Sequence, residues 1–185
     1  MRNVLVSNLA SLDGFMAGPG GDIEWFTGIA DEQFAAYGVD TIRTIDTMLF
    51  GRVTYELMAG YWPTASPEVD DPRIIEAMNS CPKVVFSRTL QSVDWSNTRL
   101  VNGDVAEEVE KLKAQPGKNM VIYGSGAIVS TLAAAGLIDE YRIFVAPILL
   151  GSGLPLFRDI QRRISLELLE TRSFGSGLVL LRYRA

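Results

Sequence analysis

The chain has 185 residues and a mass of 20.3 kDa, enough for one domain and too little for two catalytic units. Hydrophobic residues make up 48% and charged residues 21%, which excludes intrinsic disorder, and 17 Lys+Arg against 22 Asp+Glu leave a net charge of −5. That sign is wrong for a protein whose main partner is nucleic acid.

The count of histidine is zero and that of cysteine is one. Ser-His-Asp and Cys-His nucleophiles, imidazole bases, thiolate or imidazole metal sites and an internal disulfide all fall away. An enzyme made from this chain works with carboxylates, hydroxyls, Lys/Arg, backbone dipoles or a borrowed cofactor. The apolar runs are short and broken by Gly or charge, so no membrane span is predicted. The N-terminus opens directly on a strand-like run without a leader pattern, and the expectation is a cytoplasmic protein.

Taken in chain order, a first strand is predicted over Asn3–Ala10. It leads into a Gly/Pro-rich loop (Ser11-Leu-Asp-Gly14, then Gly18-Pro-Gly-Gly-Asp22) of a length that suits function. Asp31 stands as the N-cap of a helix that carries Phe34, Tyr37, Ile42 and Ile45. The buried strand Thr47–Phe50 ends at Gly51, and Arg52–Ala59 follows as a helix. A polar connection, Pro63–Pro72, precedes a short helix near Arg73–Asn79, then strands at Lys83–Phe86 and Arg99–Val101. Asp104 with Glu107 three residues on marks the next helix, which Pro116-Gly117 stops. Met120–Tyr123 is a buried strand, Gly124-Ser-Gly126 a turn, and Ala127–Ala135 a helix closed by Gly136. Tyr141–Ala146 is a strand, and Leu166–Thr171 and Leu178–Tyr183 form an antiparallel pair around Gly175-Ser-Gly177. The alternation up to residue 136 implies parallel crossovers, and the closing strands make the sheet mixed. The fold class is α/β, one domain with helices on both faces.

Three strand ends share a pattern. Gly51, Arg52 and Thr54 follow one strand, Gly124, Ser125, Gly126, Ala127 and Ile128 follow another, and Ser87-Arg88-Thr89 ends a third. A helix N-terminus offers free N–H groups and a positive dipole end, and glycine lets an anion approach the backbone. Two such starts suit a pyrophosphate, and Ser87-Arg88 suits an extra phosphate; an adenine dinucleotide with a 2′-phosphate matches all three. Glycine at a strand-to-helix turn is also ordinary punctuation, and Gly124-x-Gly126 lacks the third glycine of a complete dinucleotide fingerprint.

These motifs, with Leu137-Ile-Asp-Glu140 and Ala146-Pro-Ile-Leu-Leu-Gly-Ser-Gly-Leu-Pro-Leu-Phe157, resemble the reductase domain of the bifunctional riboflavin-biosynthesis deaminase/reductase, within the dihydrofolate reductase superfamily. The likeness runs nearly the whole chain in the same order. It implies a dihydrofolate reductase-like three-layer fold with NADPH as hydride donor, and a homodimer. By position it puts Gly51, Arg52, Thr54, Ser87, Arg88 and Gly124–Ile128 on the cofactor. Asp13 and Trp25 then border the nicotinamide and the substrate, and Leu150, Gly151 and Phe157 line the far side of the cleft. Tyr123-Gly-Ser-Gly stands where the family often has Glu-Gly-Gly, and Phe15 where it often has Lys.

Asp13 and Asp31 are the candidate catalytic carboxylates, each with a bland counterpart, a turn residue and an N-cap respectively. Tyr55, one position past Thr54, is the aromatic expected to face the cleft. Asp139-Glu140 reads as a solvated turn, and Cys81 as inert. The leading expectation is an NADPH-dependent reductase of a heterocycle, most like 5-amino-6-(5-phosphoribosylamino)uracil reductase. A pterin reductase-like enzyme and a non-catalytic NADP-binding regulator are the alternatives. The apolar run Leu178–Leu181 is the expected dimer edge.

Overall fold

The computed structural model describes residues 1–185. Its strands are β1 (Val4–Ser11), β2 (Phe15–Ala17), β3 (Ile45–Gly51), β4 (Lys83–Phe86), β5 (Thr98–Val101), β6 (Asn119–Tyr123), β7 (Glu140–Ala146), β8 (Leu154–Pro155), β9 (Glu167–Ser173) and β10 (Val179–Arg184). Its helices are α1 (Glu32–Arg43), α2 (Arg52–Tyr61), α3 (Pro72–Ser80), α4 (Val105–Ala114) and α5 (Gly126–Ala135). The runs Met48-Leu-Phe50 and Met120-Val-Ile122 are apolar without alternation because both sheet faces are covered; all six side chains are fully buried.

Eight strands form one sheet in the order β5-β4-β3-β6-β1-β7-β10-β9. Every pair from β5 to β7 is parallel, and β10 alone runs against the rest. The carboxyl ends of β1, β3, β4, β6 and β7 therefore meet at one edge. Alternate residues feed two layers. Val4, Val6, Met120 and Ile122 pack under Val109 and Leu112 of α4 and Val129 and Leu132 of α5. On the opposite face Leu5, Phe50, Val85 and Val121 pack under Tyr55 of α2 and Met78 of α3, while Phe144 and Leu180 meet Phe34 and Tyr37 of α1. No helix is long and apolar enough to cross a membrane.

Asp31, Asp71 and Asp104 cap α1, α3 and α4 through the amides of Phe34, Arg73 and Glu107, at 2.7, 2.9 and 3.0 Å. Two expectations change. Leu178 and Leu180 are fully buried and β10 lies inside the sheet; the open edge is β9, which exposes Glu167 and Arg172 together with Leu168. Glu140 belongs to no solvated turn. Its carboxylate accepts from Arg142 at 2.5 Å and from Arg182 at 2.7 Å. Burial pushes this carboxyl up, but the two guanidiniums outweigh it and hold it below the ordinary glutamate value. The two-stranded ribbon β2–β8 falls where the sequence predicts only loop, since strands of two or three residues carry no period.

Lys83 closes the end of α3. Only 1% exposed, its Nζ donates to the carbonyls of Cys81 (2.8 Å), Asn79 and Ser96 (both 3.2 Å) and lies 4.3 Å from the Trp95 ring centre. Burial draws its ammonium from 10.5 down to about 8. The unfolded chain then binds more protons between pH about 8 and 10, so this group makes stability rise with pH across that window. Lys83→Met removes all three bonds, although Asn79 O and Ser96 O keep other donors, and is expected to lower stability by roughly 1–3 kcal/mol. The Tm gap to wild type should widen from pH 8 to pH 10; an unchanged Tm would refute the role.

Candidate functional site

At the carboxyl edge two strand-to-helix turns are tied to each other. The Gly51 amide donates to Ser125 Oγ and the Ser125 amide to Thr54 Oγ1, both at 2.9 Å. Asn8 of β1 completes the knot. Its Oδ1 accepts from the Gly124 amide at 2.6 Å, and its Nδ2 donates to the Gly124 carbonyl at 2.9 Å. Gly124 (φ +58°) and Ser125 (φ +52°) both occupy the left-handed region, a strained setting for Ser125. A Cβ on Gly124 would stand 3.0 Å from the Thr54 side chain, and one on Gly126 would stand 2.8 Å from Met16 Cε. Gly124 is thus held to glycine by its left-handed backbone and the Thr54 side chain, whereas at Gly126 the near neighbour is the movable end of Met16.

The amides of Gly51, Gly124 and Ser125 are consumed by this knot. What remains is the first turn of each helix, Arg52–Thr54 in α2 and Gly126–Ile128 in α5, whose amides have no intrahelical acceptor. Neither helix has a capping side chain, whereas α1, α3 and α4 each have an aspartate. Two uncapped positive dipole ends therefore lie side by side, and an anion is the group that completes them. Ile128 contributes only its amide, since its side chain is in the core.

The third strand end supplies charge. Ser87 Oγ accepts from the amides of Thr89 (3.1 Å) and Leu90 (3.0 Å), folding a hydroxyl turn that leaves Arg88 exposed without an acid partner. Arg52 pairs with Glu56 at 3.0 Å on an exposed helix face, a contact worth well under 1 kcal/mol and easily exchanged for a ligand.

Asp13 and Asp31 are both committed to backbone amides. Asp13 accepts from Ser11 Oγ (2.6 Å), Gly151 N (2.7 Å) and Leu150 N (3.1 Å), so it brings the predicted Leu150 and Gly151 to the mouth of β1 and clamps the loop after β7. The Ser11 hydroxyl, then the two loop amides, hold its carboxyl below the ordinary aspartate value. Asp31 caps α1 through Phe34 N and accepts from Ser176 N at 2.8 Å, which pins the β9–β10 turn to α1. The Phe34 amide leads in lowering its carboxyl as well. Both are ionised at neutral pH, and neither is a proton donor there.

Two predicted substrate residues lie elsewhere. Tyr55 is in the core, its hydroxyl accepting from the amides of Asp94 (3.0 Å) and Trp95 (3.2 Å); it is a 100° step round α2 from Thr54, which points at Ser125. Phe157 stacks edge-on with Tyr141, 5.9 Å between centroids. Tyr141 is paired with Val6 near the amino end of the sheet, because the chain after β8 runs back over α5. Trp25 packs half-buried against Phe26 (5.2 Å) and the Phe144–Phe174 cluster under α1. Sequence reasoning missed Asn8, although a lone amide in the apolar run Val4–Ala10 marks a buried polar contact. Cys81, its thiol pushed up to about 11 by burial, is unreactive.

Residues 2–180 match the family model described as the RibD C-terminal domain. The uncharacterised Bacillus subtilis (strain 168) protein YyaP is 35% identical over 182 residues, covering 98% of this chain and 94% of that protein. A second uncharacterised protein of the same strain, YwjB, is 30% identical over 184 residues, covering 100% and 99%. Among solved structures, a protein of Shewanella sp. PV-4 assigned provisionally to riboflavin biosynthesis superposes with a TM-score of 0.80 at 26% identity, covering 100% and 98%. The bifunctional diaminohydroxyphosphoribosylaminopyrimidine deaminase/5-amino-6-(5-phosphoribosylamino)uracil reductase of Thermotoga maritima shares the fold at 15% identity (TM-score 0.69); this chain covers 56% of it.

If Asp13 is a clamp, Asp13→Asn should speed amide exchange at Leu150 and Gly151 by about tenfold or more, the loss of charge-assisted bonds of about 1.5–3 kcal/mol. Exchange in β6 should be unaltered. Unchanged protection at both loop amides would contradict the clamp.

Proposed function

The chain belongs to the RibD C-terminal domain family, and on that premise we propose that it is an NADPH-dependent reductase of a heterocyclic acceptor. The observation that carries this reading is the pair of uncapped helix starts locked together at the sheet edge. In the proposal the amides of Arg52–Thr54 and Gly126–Ile128 hold the pyrophosphate. Arg88, aided by Ser87 and by Arg52 released from Glu56, holds the 2′-phosphate. Arginine suits that task through its charge and its fork of donors.

When bound, the reduced nicotinamide supplies a hydride to the carbon of a C=N or C=O bond, leaving NADP+. The chain's own part is to hold the reactants in line and to shape the mouth of the cleft, which the Asp13 clamp does by fixing Leu150 and Gly151. The acceptor's heteroatom takes its proton from water, since Asp13 and Asp31 are both held ionised. Hydride transfer needs no imidazole, in keeping with the absence of histidine.

Calorimetric titration tests the proposal. NADPH should bind more tightly than NADH, and Arg88→Ala should weaken NADPH by about 10- to 100-fold, equivalent to roughly 1.5–3 kcal/mol, with NADH unchanged. Equal affinities for the two coenzymes, indifferent to Arg88, would overturn it.

A further inference from the structure

Phe157 belongs to a cavity at the far end of α5 from the two linked turns. After β8 the chain forms neither helix nor strand until β9. Leu156, 3% exposed, anchors one end of this stretch in the core, and Ile160 and Ile164 pack against the same core as the chain crosses α5. The crossing encloses a cavity of about 480 Å³, within the range of roughly 300–1,000 Å³ common to small-molecule sites. Ala133 of α5, Tyr141 of β7, Phe157, Ile160, Ile164 and Leu166 give it an apolar lining. Ala133 stands seven residues after Gly126, about 10 Å along the helix, so the cavity is separate from the sheet edge that carries the helix starts.

The lining also holds polar groups without partners. Strand alternation turns Tyr141, like Ile143, to the α5 face, and the residue is only 4% exposed. Its hydroxyl makes no hydrogen bond within the protein and is not sealed in the core; it opens on the cavity. Burial raises its phenol above the ordinary value, so the group stays protonated and has a proton to donate. A hydroxyl in such a setting is costly to leave unpaired, and an acceptor inside the cavity would satisfy it.

Arg162 and Arg163 complete the lining, and neither pairs with an acid. Arg162 rests at the end of α5, where a Cβ on Gly136 would stand 3.2 Å from its Nη2 and where the helix dipole favours a cation. Of the acids in the same stretch, Glu167 is bound to Arg184 at 3.1 Å and Asp159 is not part of the lining. Two uncompensated guanidiniums select an anion, while Phe157 and Leu166, 43% and 41% exposed, offer apolar surface that a ligand would take out of water. We propose that this cavity binds a small amphipathic anion, such as a carboxylate carried on an apolar chain or ring. Arg162, Arg163 and the Tyr141 hydroxyl hold the anionic group, and Phe157, Ile160, Ile164 and Leu166 cover the apolar body.

The test uses the full chain and three probes that share one tail: octanoate, octanol and octyltrimethylammonium. In titration calorimetry octanoate should bind at least tenfold more tightly than octanol, and the ammonium should not compete with it. Replacing both exposed arginines (Arg162→Gln with Arg163→Gln) should abolish the preference for octanoate over octanol while Tm holds. Tyr141→Phe, which deletes one oxygen, should weaken octanoate about three- to tenfold. Methyl resonances of Ala133, Ile160 and Ile164 should move on binding, and those of Val53 at the start of α2 should not. Equal affinity for octanoate and octanol would overturn the inference, as would a preference that survives the double replacement. Failure of octanoate to bind, as when a second copy covers the cavity, would overturn it too. None of these readouts depends on the coenzyme.

Discussion

The constraint on which the rest of this structure depends is the reciprocal bonding of two turns: Gly51 to Ser125, and Ser125 to Thr54. It fixes α2 and α5 at neighbouring strand ends, and it turns the N-cap hydroxyl of α5, Ser125, to the Gly51 amide rather than to its own helix. Thr54 and Ser125 hold each other's turns, and the amides behind them stay unpaired. Because β3 and β6 are parallel neighbours, both dipoles point the same way, into the same space at the sheet edge. The left-handed Ser125 is tolerated because its two hydrogen bonds to Gly51 and Thr54 and the neighbouring Asn8–Gly124 bridge hold it.

Around that knot Arg52, Arg88 and two bare helix starts gather at one sheet edge. Carboxylates that look catalytic by position serve this architecture. Asp13 sets the loop after β7, and Asp31 sets the turn between β9 and β10, each through backbone amides.

Much of the fold was legible in the residues, because each long element has a mark of its own. Asp31, Asp104 and Gly136 announce helix ends, and the unbroken apolar runs at 48–50 and 120–122 announce strands buried on both faces. The three strand ends were legible as a set for the same reason. What was hidden depends on contacts between distant segments. Gly124 has the look of ligand-facing punctuation, and only the structure shows the Thr54 side chain against it. Tyr55 and Phe157 could not be placed without knowing which flank of α2 faces the cleft and how the chain returns after β8. The Leu178–Leu181 run has the composition of an exposed edge or a covered strand alike, and only the pairing of β9 decides between them. Glu140 was hidden because its partners, Arg142 and Arg182, come together only in the sheet.

The central claim is that a dinucleotide phosphate lies across the starts of α2 and α5. Amide-resolved NMR during titration with NADP+ tests it most directly. The account predicts that the largest shifts fall on the backbone amides of Arg52–Thr54 and Gly126–Ile128, with Arg88 following. Shifts confined to other surfaces, or none at saturating coenzyme, would contradict it.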